Sequence, residues 1–552
     1  MIAKLSPPAV ALRIAAIAAL LVTFVVAFFM PIYTDEVTWK WFQSRLFHDG
    51  FVNISLFPQC GATFTTTPLW FMVPLRTVEA WVYGDLTNPL WLRFLGIATC
   101  LVWIGIMLAM LRGALGVRLS DLTLAGTVAG FLGLGVLPML LVINRPEQVL
   151  LIGLTVVFLL PFLQPDRTTA SREALTLAGV LCLVVLLFTE HAKALLFLPL
   201  IAAALFLVAR RWWVQIPGVL LLSYFAGASY RYWQTSQSCP GDPAFAQAIK
   251  TQFLQLSLLT SHPIAFLQQA AANLLQSRSY VANIRFKDPF WVDWLPPHMV
   301  PAPVDQLVNI GVMAFFAVLI VVTAFNVMVL VRKDWNAGAV SRRLLMVASA
   351  LASLLALAAF QRLKFFYEST LVLPLLGLVA AVAMPGYWWQ KAPARGRSLA
   401  TVLIGLALVS QTVLWVFLVP QVDRDLSRGG YLDKQVTSFS AMDYGRQRTE
   451  VLNTARRCGI HPEDRPRHLV LDDLTYTAFI DSYQPFHIPH VNRGGSELFG
   501  RLPTDHMVKL LREWRSAGIV AACRLIPAEL HPVANGPYCC VRSFAPETEV
   551  VR

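Results

Sequence analysis

The most restrictive feature of this chain is a succession of near-continuous apolar runs, each about as long as a helix that crosses a hydrocarbon core ~30 Å thick. They fall at about 14–32, 91–111, 119–142, 148–163, 174–189, 194–209, 214–230, 304–331, 344–360, 365–384 and 399–420, and predict about eleven passes. A soluble fold could not bury so many. With 56% hydrophobic and 14% charged residues and a mean hydropathy of +0.59, the composition points to an integral membrane protein. The first run follows Lys4 and Arg13, lacks a small-residue cleavage site and precedes many further spans, so it reads as a retained helix.

The formal net charge of +13 could suggest a nucleic-acid partner. However, Lys and Arg gather in short clusters between apolar runs and form no basic domain, which excludes that class and fits topogenic charge. If the N-terminus is cytoplasmic, Arg112, Arg118, Arg172, Arg210, Arg211, Arg332, Lys333, Arg342, Arg343, Lys391, Arg395 and Arg397 all fall on the cytoplasmic side. That parity requires "INRPEQ" (143–148) and "FTEHAKA" (188–194) to be external turns.

Three longer segments are then external: 33–90, 231–303 and 421–552. The first two have the Trp, Phe and Pro content and the helical periodicity of interfacial helices. The last contains strand-like runs at 468–480 and 517–525 and helical patterns at 440–458 and 504–516, which predicts a small α/β domain. The fold class expected is therefore mainly α, a polytopic membrane domain over 1–420 followed by an external α/β domain over 421–552. Cys60, Cys239, Cys458, Cys523, Cys539 and Cys540 fall in external segments, where disulfides are permitted, and spacing leaves their pairing open.

The same topology collects chemistry on one face. Asp35 and Glu36 follow the first helix in "YTDEVTWK"; Asn144, Arg145 and Glu147 share one turn; Glu190, His191 and Lys193 share the next; Gln361, Arg362 and Lys364 lie in "FQRLKFFYEST" (360–370). Ionisable groups at membrane depth are costly and mark cavities with partners. Carboxylates with fixed cations suit group transfer from a lipid phosphate: the acid takes a proton from an attacking hydroxyl, and the cations stabilise the departing phosphate. Hydrated loop charges, a helix cap for Asp35 and Glu36, and snorkelling for Arg362 and Lys364 are the plainer alternatives.

"YTDEVTWK", with "NRPEQVLLIGL" (144–154) and "EHAKALLFLPL" (190–200), resembles the GT-C superfamily of polyprenyl-phosphate-sugar-dependent glycosyltransferases, including protein O-mannosyltransferases and lipid A aminoarabinose transferases. The resemblance covers the layout of about 1–420, though its motifs are short. It implies transfer of a sugar from a polyprenyl phosphate to a hydroxyl of a cell-envelope glycan, lipid or protein, with inversion. Asp35 would be the general base and Glu36 would orient the acceptor or tune Asp35. Arg362 and Lys364 would bind the donor phosphate with Lys193 and Arg145, supported by Glu147, Glu190 and His191. The implied location is a bacterial inner membrane with the C-terminal domain periplasmic.

No CxxC, HExxH, Walker or GxGxxG signature with an acidic partner is present, so no cofactor or metal site is predicted, and a divalent cation stays open. His48, Asp49 and the pair Asp472/Asp473 read as structural positions rather than catalytic ones. A transporter or flippase would require broken helices or charges inside spans, and a non-catalytic scaffold would leave Asp35 without a role.

Overall fold

The computed structural model describes residues 7–33, 36, 37, 40, 52–53, 65–66, 68–83, 90–115, 120–165, 168–236, 253–286, 300–338, 340–384, 395–420, 438–439, 444–461, 468–472, 475–479, 484–487, 512 and 516–542. The helices in chain order are α1 (Pro7–Phe28), α2 (Val73–Val82), α3 (Leu90–Leu115), α4 (Asp121–Leu132), α5 (Leu137–Leu141), α6 (Pro146–Leu163), α7 (Ala170–Glu190), α8 (Leu198–Val208) and α9 (Trp212–Ser236). They continue with α10 (Ser257–Ser261), α11 (Pro263–Leu275), α12 (Arg278–Ala282), α13 (Ala302–Ala337), α14 (Arg342–Phe360), α15 (Phe366–Ala383), α16 (Arg395–Val413) and α17 (Tyr444–Arg457). The strands are β1 (Ile32–Tyr33), β2 (Val52–Asn53), β3 (Thr65–Thr66), β4 (Ser438–Phe439), β5 (His468–Leu471), β6 (Gln484–His487), β7 (Gly518–Ala522), β8 (Val533–Asn535) and β9 (Tyr538–Arg542).

Among the described residues, eight helices are long and apolar enough to cross a membrane: α1, α3, α6, α7, α13, α14, α15 and the stretch Ala400–Leu418 that α16 begins. The expected pass over 194–209 is shorter, a 3-10 turn (Ala192–Phe197) leading into α8, and the one over 119–142 is broken. The bundle core lies at α15 and α6, whose spans are 78% and 67% buried, whereas α13 is 22% buried and forms the periphery. Helix starts follow local chemistry. Ser120, Thr169 and Ser341 accept hydrogen bonds from Thr123 N, Arg172 N and Leu344 N, and Pro146 opens α6 where its missing N–H leaves no bond unmade.

The break after α4 corrects the reading of 119–142 as one helix. α4 ends at Leu132, and Gly135 turns the chain at φ 53°, where a Cβ would stand 2.0 Å from Ile284 O. The exposed backbone groups are met from neighbouring elements. Val136 N donates to Ile284 O at 3.0 Å, and Gln411 Nε2 donates to Gly133 O at 2.6 Å and Gly135 O at 3.4 Å. Thr23 Oγ1 donates to Gln411 Oε1 at 2.5 Å, which fixes the amide. Irregular backbone inside a membrane protein persists when protein groups satisfy it in this way. Residues 137–143 beyond the turn are buried and apolar, so this interruption carries no charge of its own.

One end of the bundle carries Arg112 paired with Asp121 at 2.7 Å, Arg211 paired with Glu173 at 2.6 Å, and Arg342 Nη1 donating to Pro161 O at 2.8 Å. The opposite end carries the described acids and cations singled out in the sequence, and there a second layer is built. A five-stranded sheet of order β6-β5-β7-β9-β8 has β6, β5 and β7 parallel and β7, β9 and β8 antiparallel, with α17 packed on β8 and β9. Disulfides Cys458–Cys540 and Cys523–Cys539 tie α17 and the segment after β7 to β9. Ile32, Val37 and Leu92 share one buried cluster with Leu469, Leu471, Val520 and Cys540, and β1 pairs with β4. The sheet is therefore seated on the chain that leaves α1.

The sequence-expected strands end earlier than drawn: 468–480 is β5 followed by a 3-10 turn (Tyr476–Phe479), and 517–525 is β7 followed by another (Cys523–Leu525). Asp472 is buried and accepts from Thr475 N at 2.8 Å and Ala522 N at 2.9 Å, a role in turn geometry. Of the helix expected at 504–516, only Arg512 and Ser516 are described; Cys60, Cys239, His48, Asp49 and Asp473 lie outside the described residues.

Candidate functional site

The chain leaving α1 is anchored by Glu36. Its carboxylate is fully buried and accepts from Tyr33 N at 3.1 Å, Asn144 N at 2.9 Å and Arg93 Nη2 at 2.9 Å. Arg93, at the start of α3 and equally buried, also donates to Pro31 O at 2.9 Å. Four segments thus meet on one ion pair: the end of α1, Glu36, α3 and the turn before α6. Burial pushes the Glu36 carboxyl above its ordinary value, and Arg93 is the main opposing influence. Asp35, the expected base, lies outside the described residues.

Next to this node, Pro146 starts α6 so that Glu147 points into the bundle. Glu147 is buried between Lys193 Nζ at 2.6 Å and Arg145 Nε at 3.3 Å. Lys193 also pairs with Glu368 at 3.0 Å, and Glu368 accepts from Gln361 Nε2. The Arg145 guanidinium lies over the Tyr367 ring, 3.7 Å from its centroid. Sequence motifs more than 200 residues apart therefore share one buried network: "NRPE", "EHAK" and "QRLKFFYE" are joined by direct ion pairs. Buried charges survive only with such partners.

Lys364 closes the edge of this network. Its ammonium donates to Ala358 O at 2.5 Å and to Gln361 O, capping the carbonyl end of α14 where a cation is favoured. Burial lowers its pKa to about 8, with Glu368 opposing. Tyr280 OH donates to Gln361 Oε1 at 3.1 Å, and Asn283 Nδ2 donates to Lys364 O at 2.9 Å, so the 253–286 segment walls this side. Arg362, between them, is exposed and makes no hydrogen bond or ion pair among the described residues. It is a cation still available to a ligand.

His191 and Glu190 divide between two clusters. His191 Nδ1 accepts from Lys193 N at 3.0 Å, its ring is stacked at 6.0 Å on Trp233, and burial, then Lys193, lower its pKa to about 3, so it is neutral. Glu190 faces away from the Lys193 network, toward α2, where it meets the carboxyl of Glu79. Glu79 pairs with Arg76 at 2.7 Å, and Arg76 also donates to Thr189 O. Lys40 completes this second cluster, with its ammonium 4.6 Å from the Tyr83 ring centroid.

The residues brought together are thus Arg145, Glu147, Lys193 and Lys364 in one group, Glu36 beside it, and Glu190 in another. Sequence reasoning did not identify Glu368, Arg93, Lys40, Arg76 or Glu79 as site residues. Arg93 was visible as a charge near the start of an apolar span, Lys40 as the end of "YTDEVTWK", and Arg76 and Glu79 as an i, i+3 pair in "PLRTVEAW". Among the described residues no three His, Cys, Asp or Glu side chains gather as a metal-binding group.

No family model matches this chain. No curated protein matches it by sequence. Its structure is similar to that of ArnT from Cupriavidus metallidurans bound to undecaprenyl phosphate, with a TM-score of 0.47 and 15% identity, covering 96% of this chain and 98% of that one. It is also similar to the archaeal oligosaccharyltransferase AglB from Archaeoglobus fulgidus in complex with an inhibitory peptide and a dolichol-phosphate, with a TM-score of 0.43 and 10% identity, covering 92% of this chain and 69% of that one.

Proposed function

We propose that this protein is a membrane glycosyltransferase that moves a sugar from a polyprenyl phosphate to a hydroxyl of a cell-envelope glycan, lipid or protein. The observation that carries this reading is the contact between four distant motifs at one end of a membrane bundle, with an exposed, unpaired Arg362 at its edge. A lipid donor enters from the bilayer side, and its phosphate sits against Arg362 and Lys364, with Lys193 and Arg145 contributing their field from behind. The acceptor oxygen forms the new bond to the anomeric carbon as the carbon–oxygen bond to the lipid phosphate breaks. Asp35 takes the acceptor proton, and the lipid phosphate leaves with the bonding electrons.

The sheet seated above Glu36 bounds the acceptor side, and its two disulfides suit an oxidising compartment, the periplasm in a bacterium. The rival flippase reading gains the broken helix after α4, but that turn is lined by apolar residues and satisfied by Gln411.

The test is transfer by the purified protein from a panel of polyprenyl-phosphate sugars. Asp35→Asn is expected to lower kcat by ~10²–10⁴-fold with donor KM little changed, and Arg362→Ala to raise donor KM. Undiminished transfer by Asp35→Asn removes the assigned base.

A further inference from the structure

Helix α14 ends where Gln361 N donates to Leu357 O at 3.1 Å, and the carbonyls beyond that bond need partners from outside the helix. Lys364 Nζ meets Ala358 O at 2.5 Å and also Gln361 O, Asn273 Nδ2 meets Ala359 O at 2.7 Å, and Leu254 N meets Phe360 O at 2.7 Å. These contacts are a helix cap, and the need to satisfy buried carbonyls accounts for them.

Two further side chains grip the same turn beyond that need. Tyr280 OH donates to Gln361 Oε1 at 3.1 Å, and Asn283 Nδ2 donates to Lys364 O at 2.9 Å and to Ser369 Oγ at 3.2 Å. Both are buried, and they stand three residues apart at α12, so they face the turn from one side. α12 is a fixed platform for them: Val281, Ile284 and Phe286 join the core of the bundle, and Ile284 O accepts from Val136 N at 3.0 Å. The residues held, Gln361 and Lys364, flank Arg362, whose own side chain is exposed and makes no hydrogen bond or ion pair among the described residues. A cation carried on backbone that is tied at both ends has less freedom to lose when an anion binds it.

We propose that Tyr280 and Asn283 are positioning residues for the lipid donor: they fix the 361–364 turn so that Arg362 is presented to the donor phosphate. This rests on the glycosyltransferase reading above, and lipid binding separates the two. Full-length protein in nanodiscs is titrated with undecaprenyl phosphate and with undecaprenol, and the quantity read is the affinity gained from the phosphate. Arg362→Ala reduces that gain by about tenfold or more, the loss of one charged hydrogen bond. Tyr280→Phe, which keeps the ring and removes the hydroxyl, and Asn283→Ala each reduce it by about threefold to tenfold, the scale of one neutral hydrogen bond. Both leave undecaprenol binding within about twofold. In the Arg362→Ala background the same two substitutions change the gain by less than about twofold, because they act through Arg362.

Equal weakening of both lipids would make Tyr280 and Asn283 merely structural and overturn the inference. A loss that persists in full without Arg362 overturns it too. If Asn283→Ala does not yield monodisperse protein, Tyr280→Phe alone decides. A gain lowered by Arg362→Ala but unchanged by the other variants overturns the inference and leaves the donor reading standing, whereas a wild type that gains nothing from the phosphate overturns both.

Discussion

Replacing Arg93 with Met isolates the ion pair that holds the chain leaving α1. The substitution keeps a long side chain but removes both the 2.9 Å pair to Glu36 and the bond to Pro31 O. Glu36 then keeps its bonds from Tyr33 N and Asn144 N and is left as an unpaired buried charge. Stranding one member of a buried pair costs about 3–5 kcal/mol. Glu36→Gln alone leaves the fully buried Arg93 as the stranded charge and costs about 3–5 kcal/mol in the same way. The double variant should cost less than the sum, because neither partner is then stranded.

The same logic gives a pH signature. Without Arg93, the main influence that holds the Glu36 pKa down is gone, and burial raises it further above 4.5. The folded protein then binds more protons than the unfolded one over the window that opens above 4.5. Stability of Arg93→Met therefore falls as pH rises through that window, so it unfolds more readily near pH 7.5 than near pH 5.5. The assay is unfolding of detergent-solubilised protein by SDS titration at the two pH values, for wild type, both single variants and the double variant. Strictly additive single losses, or Arg93→Met becoming more stable toward alkaline pH, would refute the argument.

Three further outcomes follow from other parts of the structure. If Lys364 helps hold the donor phosphate, undecaprenyl phosphate binding weakens as pH rises through about 8, where its ammonium is lost, and Lys364→Arg flattens that profile; a Kd series from pH 6.5 to 9.5 checks it. Removing Cys458–Cys540, with a sequence separation of 82, should cost roughly 4–5 kcal/mol, against roughly 3 kcal/mol for Cys523–Cys539 with a separation of 16; proteolysis rates of the two double-Ala variants rank them. Gly135→Ala places a Cβ 2.0 Å from Ile284 O at a left-handed backbone position, and should abolish monodisperse folded protein in size-exclusion chromatography, whereas Gly105→Ala, with open space around it, should not.

Much of this protein follows from one-dimensional pattern. Long apolar runs impose membrane helices, and the alternation of basic clusters with acid-rich turns sorts the loops between two ends, because both depend on local composition and parity. That is why the grouping of "NRPE", "EHAK" and "QRLK" at one end was legible, and why the α/β character of the C-terminal region could be read from its strand-like runs. Partner choice depends instead on three-dimensional approach. Glu36 reaches Arg93 and Lys193 reaches Glu368 across packed helices, and nothing in the spacing of these residues selects those pairs. The break at Gly135 depends on Gln411, nearly 280 residues away in the chain, being able to meet the freed carbonyls. Lys40 was within the first motif read, but only the packing of α2 and Glu190 around it left its ammonium without an acceptor. Sequence alone therefore determined the membrane helices and the end at which charge collects. Tertiary structure decided which of those charges neutralise one another and which remain free to meet a substrate, because that depends on distances between groups far apart along the chain.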